Sequence, residues 1–144
     1  MRIDGEWLLC DDRVIRPIIR GEVLTGHGVW EPTEFLVDTG ADRTVFSAAL
    51  LAVLHLRATV SLHALGGVGG LADAVVVETQ IGLHHEGTGK VVLRGQYTAV
   101  TNLDSLDMNV LGRDITRLFT VIIDQPGDVV CLLGQRHHYI IVQR

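Results

Sequence analysis

An all-β fold carried by one domain is what this sequence predicts, on three observations. Short runs rich in Val, Ile and Thr recur along the chain. Glycine is frequent (16) and proline rare (3), so many tight turns are available. Only one stretch is rich enough in Ala and Leu to read as a good helix. A chain of 144 residues fits a single domain over 1–144, and 47% hydrophobic against 20% charged residues is enough to bury a core.

Composition also narrows the partners. A net charge of -5 disfavours a nucleic-acid binder, and Lys90 is the only lysine. Two cysteines, Cys10 and Cys131, are too few for a disulfide scaffold and sit in apolar runs, where they read as buried small hydrophobes. The first residues are acidic where a secretion signal needs basic then apolar ones. The longest mostly apolar stretch, 45–56, is interrupted by Ser47 and His55 and is too short to cross a bilayer. The expectation is a soluble, cytoplasmic protein with no membrane partner.

Residues 14–24 read as extended, with Pro17 marking an edge or strand start. A turn at 26–28 leads into a returning strand over 29–37, and a short link, 43–46, precedes Ser47. Ser47 is a good N-cap for the helical segment 48–55. Residues 59–65 alternate polar and apolar, and a β-branched run over 71–81 returns after a glycine cluster. That pair predicts a hairpin with a glycine-rich tip. Residues 82–90 read as a polar loop, 91–93 and 96–100 as strands, 101–107 as a loop, and 108–111 as a short strand. Asp114 is placed to cap a helical turn at 115–118. The tail reads as strands at 119–123, 129–133 and 139–142. No internal repeat or low-complexity linker divides the chain.

Three segments carry chemistry. In Phe35-Leu36-Val37-Asp38-Thr39-Gly40-Ala41 an apolar strand delivers a carboxylate to its end, and a tight turn follows at once. Taken alone, it is a strand closed by an Asx-type turn. The cluster Gly66-Gly67-Val68-Gly69-Gly70 holds four glycines around one valine, more than a hairpin turn requires. Residues 67–72 formally satisfy a dinucleotide pattern, but that pattern needs a helix next and the chain continues as strand. Val110-Leu111-Gly112-Arg113-Asp114, alone, is a strand, a glycine and a capping aspartate.

In this order the three segments resemble those of the retropepsins, the retroviral-type aspartic proteases, over a span of about 18–123. The stretch from Phe35 through Asp38-Thr39-Gly40-Ala41-Asp42 to Thr44-Val45 is similar to their active-site segment. Residues 65–70 are similar to the tip of their flap, and 110–114 to their late strand and helix. The N-terminal extension, the helix after the active-site loop and the C-terminal hairpin depart from the compact retroviral pattern.

The resemblance implies a retropepsin-like fold and an aspartic endopeptidase. Such an enzyme needs two carboxylates, one to take a proton from water and one to polarise the scissile carbonyl. This chain has one Asp-Thr-Gly and no second copy, since Asp104-Ser105 is followed by Leu106. A twofold homodimer is therefore implied, with Asp38 supplied twice. Thr39 would bond across the dyad and Gly40 would leave room for backbone. Ala41 and Asp42 would face a peptide or protein substrate, and Gly66, Gly67, Val68 and Gly69 would close over it. An Asp42–Arg113 ion pair would brace the loop. No cofactor and no metal are implied. The adjacent pairs His84-His85 and His137-His138 would point to opposite strand faces and read as surface histidines. Asp11, Asp12, Asp104 and Asp107 read as solvated loop acids. A different class of function stands beside this one: the same fold used without proteolysis, as a dimerising or peptide-binding module, which would need neither an intact Asp-Thr-Gly nor a glycine-rich flap.

Overall fold

The computed structural model describes residues 1–60, 65–67, 70–134, 140 and 142. In chain order the strands are β1 (Arg2–Asp4), β2 (Glu6–Leu9), β3 (Ile15–Leu24), β4 (Trp30–Val37) and β5 (Val45–Phe46). Helix α1 (Ala48–Leu54) follows, then β6 (Ala58–Val60), β7 (Leu65–Gly67), β8 (Gly70–Ala72), β9 (Ala74–His84) and β10 (Lys90–Val100). The chain ends with β11 (Asn109–Leu111), the helical turn α2 (Arg113–Thr116), β12 (Thr120–Asp124) and β13 (Val129–Leu133). Among the described residues no helix is long and apolar enough to cross a membrane.

The strands β3, β4, β11, β5, β10 and β9 form a closed circuit, because β9 returns to β3 through Glu22↔Gly82 and Val23↔Ile81. Gly21 makes that closure possible. A Cβ there would stand 2.8 Å from the Gly82 carbonyl oxygen and 2.8 Å from Leu83 Cδ2. Closing the sheet lets one face of every strand bury its alternate residues together. Phe35, Phe46, Val77, Ile81, Leu83 and Leu111 are fully buried there. Ile3 from β1 and Val130 and Leu132 from β13 belong to the same buried cluster, so the small sheet β1-β13-β12 packs onto the barrel.

Pro17 lies where β3 pairs only with β2, and the β3–β4 ladder begins one residue later at Ile18↔Leu36. A residue without an N–H fits there. Ser47 caps α1, accepting the Leu50 N–H at 3.2 Å, and His55 closes the helix in the left-handed region.

Several expectations need correction. The 82–90 segment is a loop only over 85–89. Gly82, Leu83 and His84 continue β9, paired with Val92, Val91 and Lys90. Polar side chains on the outer face of a hairpin end look like a loop in sequence. The interruption expected at Arg94-Gly95 is absent, and β10 runs unbroken through Gly95↔Thr79. The 43–46 link contains a strand, β5. Residues 6–9 form a further strand, β2. The helical turn α2 begins at Arg113, with Gly112 rather than Asp114 in the N-cap position, and Asp114 lies in its first turn. Asp12 is not merely solvated. Arg16 grips both of its carboxylate oxygens (2.9 and 2.6 Å), and with the Val14 N–H holds its pKa down to about 2. Of the strand expected at 139–142 only residues 140 and 142 are described, and neither lies in a strand; the pair His137-His138 lies outside the described residues.

Tyr97 supplies a test of the barrel core. Its ring packs on Phe46, its hydroxyl donates to the Leu93 carbonyl at 2.7 Å, and burial pushes its phenol up to about 12. The unfolded chain releases that proton near 10. Between these values the unfolded state binds fewer protons than the native one, so stability falls as pH rises through the window. Tyr97→Phe should lose that alkaline decline, at a loss of about 1 kcal/mol at neutral pH for the hydrogen bond. Urea melts of both proteins at pH 7, 10 and 11.5 check it. Parallel declines would place the phenol in water.

Candidate active site

β4 carries the chain to Asp38 with Phe35 and Val37 pointing into the core. Alongside it runs β11, parallel, with Leu111 level with Val37. The Leu111 carbonyl accepts the Asp38 N–H at 3.2 Å. β11 is also antiparallel to β5 through Val110↔Val45, so it lies between the strand that brings Asp38 and the strand that leaves its loop. This insertion holds the loop from both sides.

Beyond β4 the chain turns tightly. Gly40 donates its N–H to Asp38 Oδ1 at 2.9 Å, and Ala41 donates to the Asp38 carbonyl at 3.3 Å. Oδ2 has no hydrogen-bond partner among the described residues. Asp38 is half-buried, whereas Thr39 and Gly40 are exposed.

The far side of the loop is tied to the start of α2. Thr44 is fully buried, and its N–H and hydroxyl both donate to Asp114 Oδ1, at 2.9 and 2.7 Å. Its Oγ1 in turn accepts the Gly112 N–H at 3.1 Å. Arg113 N–H donates to the Ala41 carbonyl at 2.8 Å and Asp114 N–H to the Asp42 carbonyl at 3.2 Å. The Arg113 guanidinium donates to the Thr39 carbonyl at 3.0 Å and forms an ion pair with Asp42.

The sequence of this loop and its supports decides the family. The family model described as aspartyl protease matches residues 22–115. The chain belongs to the aspartyl protease family. Among solved structures, this aspartyl protease chain is similar to EIAV protease complexed with the inhibitor HBY-793. The identity is 26% and the TM-score 0.50, over 71% of this chain and 86% of that one. A retropepsin-like aspartic protease from Rickettsia conorii shares the fold, at 17% identity and TM-score 0.54, over 92% of this chain and 88% of the other. No curated protein matches the sequence.

In this aspartyl protease the structure brings Asp38, Thr39, Gly40, Ala41, Asp42 and Arg113 into one loop cluster. Gly66 and Gly67 are elsewhere, on β7, which pairs with β8 through Gly67↔Gly70. Val68 and Gly69 lie outside the described residues. Thr44 and Asp114 emerge as supports that residue chemistry alone had not marked. Thr44 stands in the motif, and its burial was the missing information. Among the described residues no group of three or more His, Cys, Asp or Glu side chains is placed to hold a metal.

The Asp42–Arg113 pair is exposed, with side chains 80% and 52% accessible. Water screens such a pair, so a double-mutant cycle of Asp42→Ala and Arg113→Ala should return a coupling of about 0–1 kcal/mol. Coupling near 3 kcal/mol in denaturant melts would mean that the pair is buried in the working protein.

Proposed function

We propose that the protein is a homodimeric aspartic endopeptidase whose catalytic dyad is two copies of Asp38. One observation carries the reading: the chain holds a single Asp-Thr-Gly, and its aspartate sits half-buried at the mouth of an exposed loop. Half of a two-carboxylate site, presented at the surface, is completed by a twofold copy of itself.

Two carboxylates about 3 Å apart cannot both ionise, so the dyad holds one proton. The ionised Asp38 takes a proton from a water molecule, whose oxygen bonds to the scissile carbonyl carbon. The protonated Asp38 of the other copy hydrogen-bonds to the carbonyl oxygen as charge builds there. The C–N bond then breaks as the amine nitrogen takes a proton from the dyad. Gly40 N–H, donating to Oδ1, holds the carboxylate plane for this exchange. Thr39, exposed beside it, would contact the partner copy. Ala41 and Asp42 would line the substrate cleft, and the hairpin of Gly66, Gly67, Val68 and Gly69 would close over the peptide and exclude water. Arg113 would brace the loop through Thr39 and Asp42.

The test is the dependence of activity on protein concentration. Specific activity on an unstructured peptide mixture should rise with dilution reversed, in step with a mass near twice 15.7 kDa by light scattering. Concentration-independent cleavage by a 15.7 kDa monomer would defeat the shared site.

A further inference from the structure

We infer that Asn109 is a positioning residue for Asp38, acting through a side-chain clamp across the two arms of the active-site loop. This rests on the proposed shared dyad for its effect on rate, but the clamp itself is visible in one protomer. Asn109 is the first residue of β11 and is 8% exposed. Its Oδ1 accepts the Ser47 N–H at 2.8 Å. Its Nδ2 donates to Thr33 Oγ1 at 2.7 Å and to the Glu34 carbonyl at 3.2 Å. Thr33 and Glu34 lie on β4, the strand that delivers Asp38, and Ser47 is the N-cap of α1, just past the loop. One planar amide therefore joins the arm before Asp38 to the arm after it.

The partners dictate the chemistry. Ser47 N–H is a donor and needs an oxygen, while the Glu34 carbonyl is an acceptor and needs an N–H. Asparagine carries both at the required reach. Aspartate keeps the size and the acceptor, but when ionised it has nothing to donate and turns a carboxylate toward the Glu34 carbonyl. The backbone of β11 already pairs with β4, so the side chain adds restraint where the ladder ends.

Symmetry makes this restraint matter for rate. If Asp38 moves away from a twofold axis, its copy moves equally in the opposite sense, so the carboxylate separation changes by twice the displacement. Misplacement by about 1 Å can slow catalysis by about a hundredfold.

The experiment compares wild type, Asn109→Asp and Thr33→Val. In Asn109→Asp, kcat should fall at least about tenfold with KM within about twofold, and the double variant with Thr33→Val should lose little more. Amide hydrogen exchange at Gly40 and Ala41 should quicken at least about tenfold, with Val77 and Ile81 unchanged. Unchanged exchange at Gly40 and Ala41, or an equal rise along the whole chain, overturns the proposal. So does wild-type kcat once those amides have lost protection. Should Asn109→Asp fail to fold, the smaller Thr33→Val change must still quicken exchange at Gly40 for the clamp to stand. If wild type cleaves no peptide but the local exchange change is present, the clamp stands and the proteolytic reading falls.

Discussion

On the proposed dyad of two Asp38 copies, Asp38→Asn is expected to bring peptide cleavage to background while the fold and the proposed dimer are kept. General acid–base catalysis contributes on the order of 10²–10⁴-fold, and with both copies replaced neither side of the dyad can take or give the proton. The amide keeps the shape of the carboxylate and still offers an oxygen to the Gly40 N–H, the 2.9 Å contact that organises the turn. Replacing two neighbouring acids by neutral amides also removes their mutual repulsion, so the variant dimer should be no less stable than wild type and slightly more so. The measurement is single-turnover cleavage by the purified variant, with light scattering and a thermal melt on the same sample. Near-wild-type cleavage would place the chemistry elsewhere, and loss of the dimer would mean that the carboxylate is structural.

Gly112→Ala is expected to give a large loss of stability from a single methyl group. The φ of Gly112 is -92°, open to any residue, so conformational freedom is not the reason for glycine here. The reason is space. A Cβ would lie 2.8 Å from Thr44 N and closer still to the Arg43 carbonyl, both backbone atoms that cannot swing aside. Relieving the overlap must pull the start of α2 from the loop and stretch the Thr44–Asp114 and Gly112–Thr44 hydrogen bonds. Overpacking of this kind costs about 3 kcal/mol, which for a chain of this size lowers Tm by roughly 6–12 °C. Gly95→Ala is the control. Its Cβ would meet only the Tyr97 ring, at ordinary contact of 3.5 Å, and the melt should move by about 1 kcal/mol or less. If Gly112→Ala melts like Gly95→Ala, α2 does not press on Arg43 as described.

What was legible in the residues is what local chemistry specifies. Ser47 before an Ala- and Leu-rich run marks a helix start, and Ser47 does cap α1. The turn at 26–28 followed by a run that ends in the apolar Phe35-Leu36-Val37 marks a returning strand over 29–37, and β4 is that strand. Asp-Thr-Gly after an apolar strand marks a carboxylate at a strand end, and Asp38 stands there with Gly40 folded back onto it. The Asp42–Arg113 contact was suggested by family resemblance and not by spacing, since the two residues are 71 positions apart.

Partnerships between distant segments had no local signal. Val45-Phe46 is too short to announce a strand, and becomes β5 only because β11 and β10 lie beside it. Gly82 and His84 look like loop residues until the ladder with β10 claims them. Asp114 has the composition of a helix cap, yet its carboxylate is committed to Thr44, 70 residues away. Asn109 carried no mark at all. Its amide acquires a task only when the barrel closes and sets Thr33, Glu34 and Ser47 around it. A side chain's hydrogen-bond capacity is written in its type, but its partners are chosen by which backbone groups folding buries beside it, and buried polar groups must then be paired.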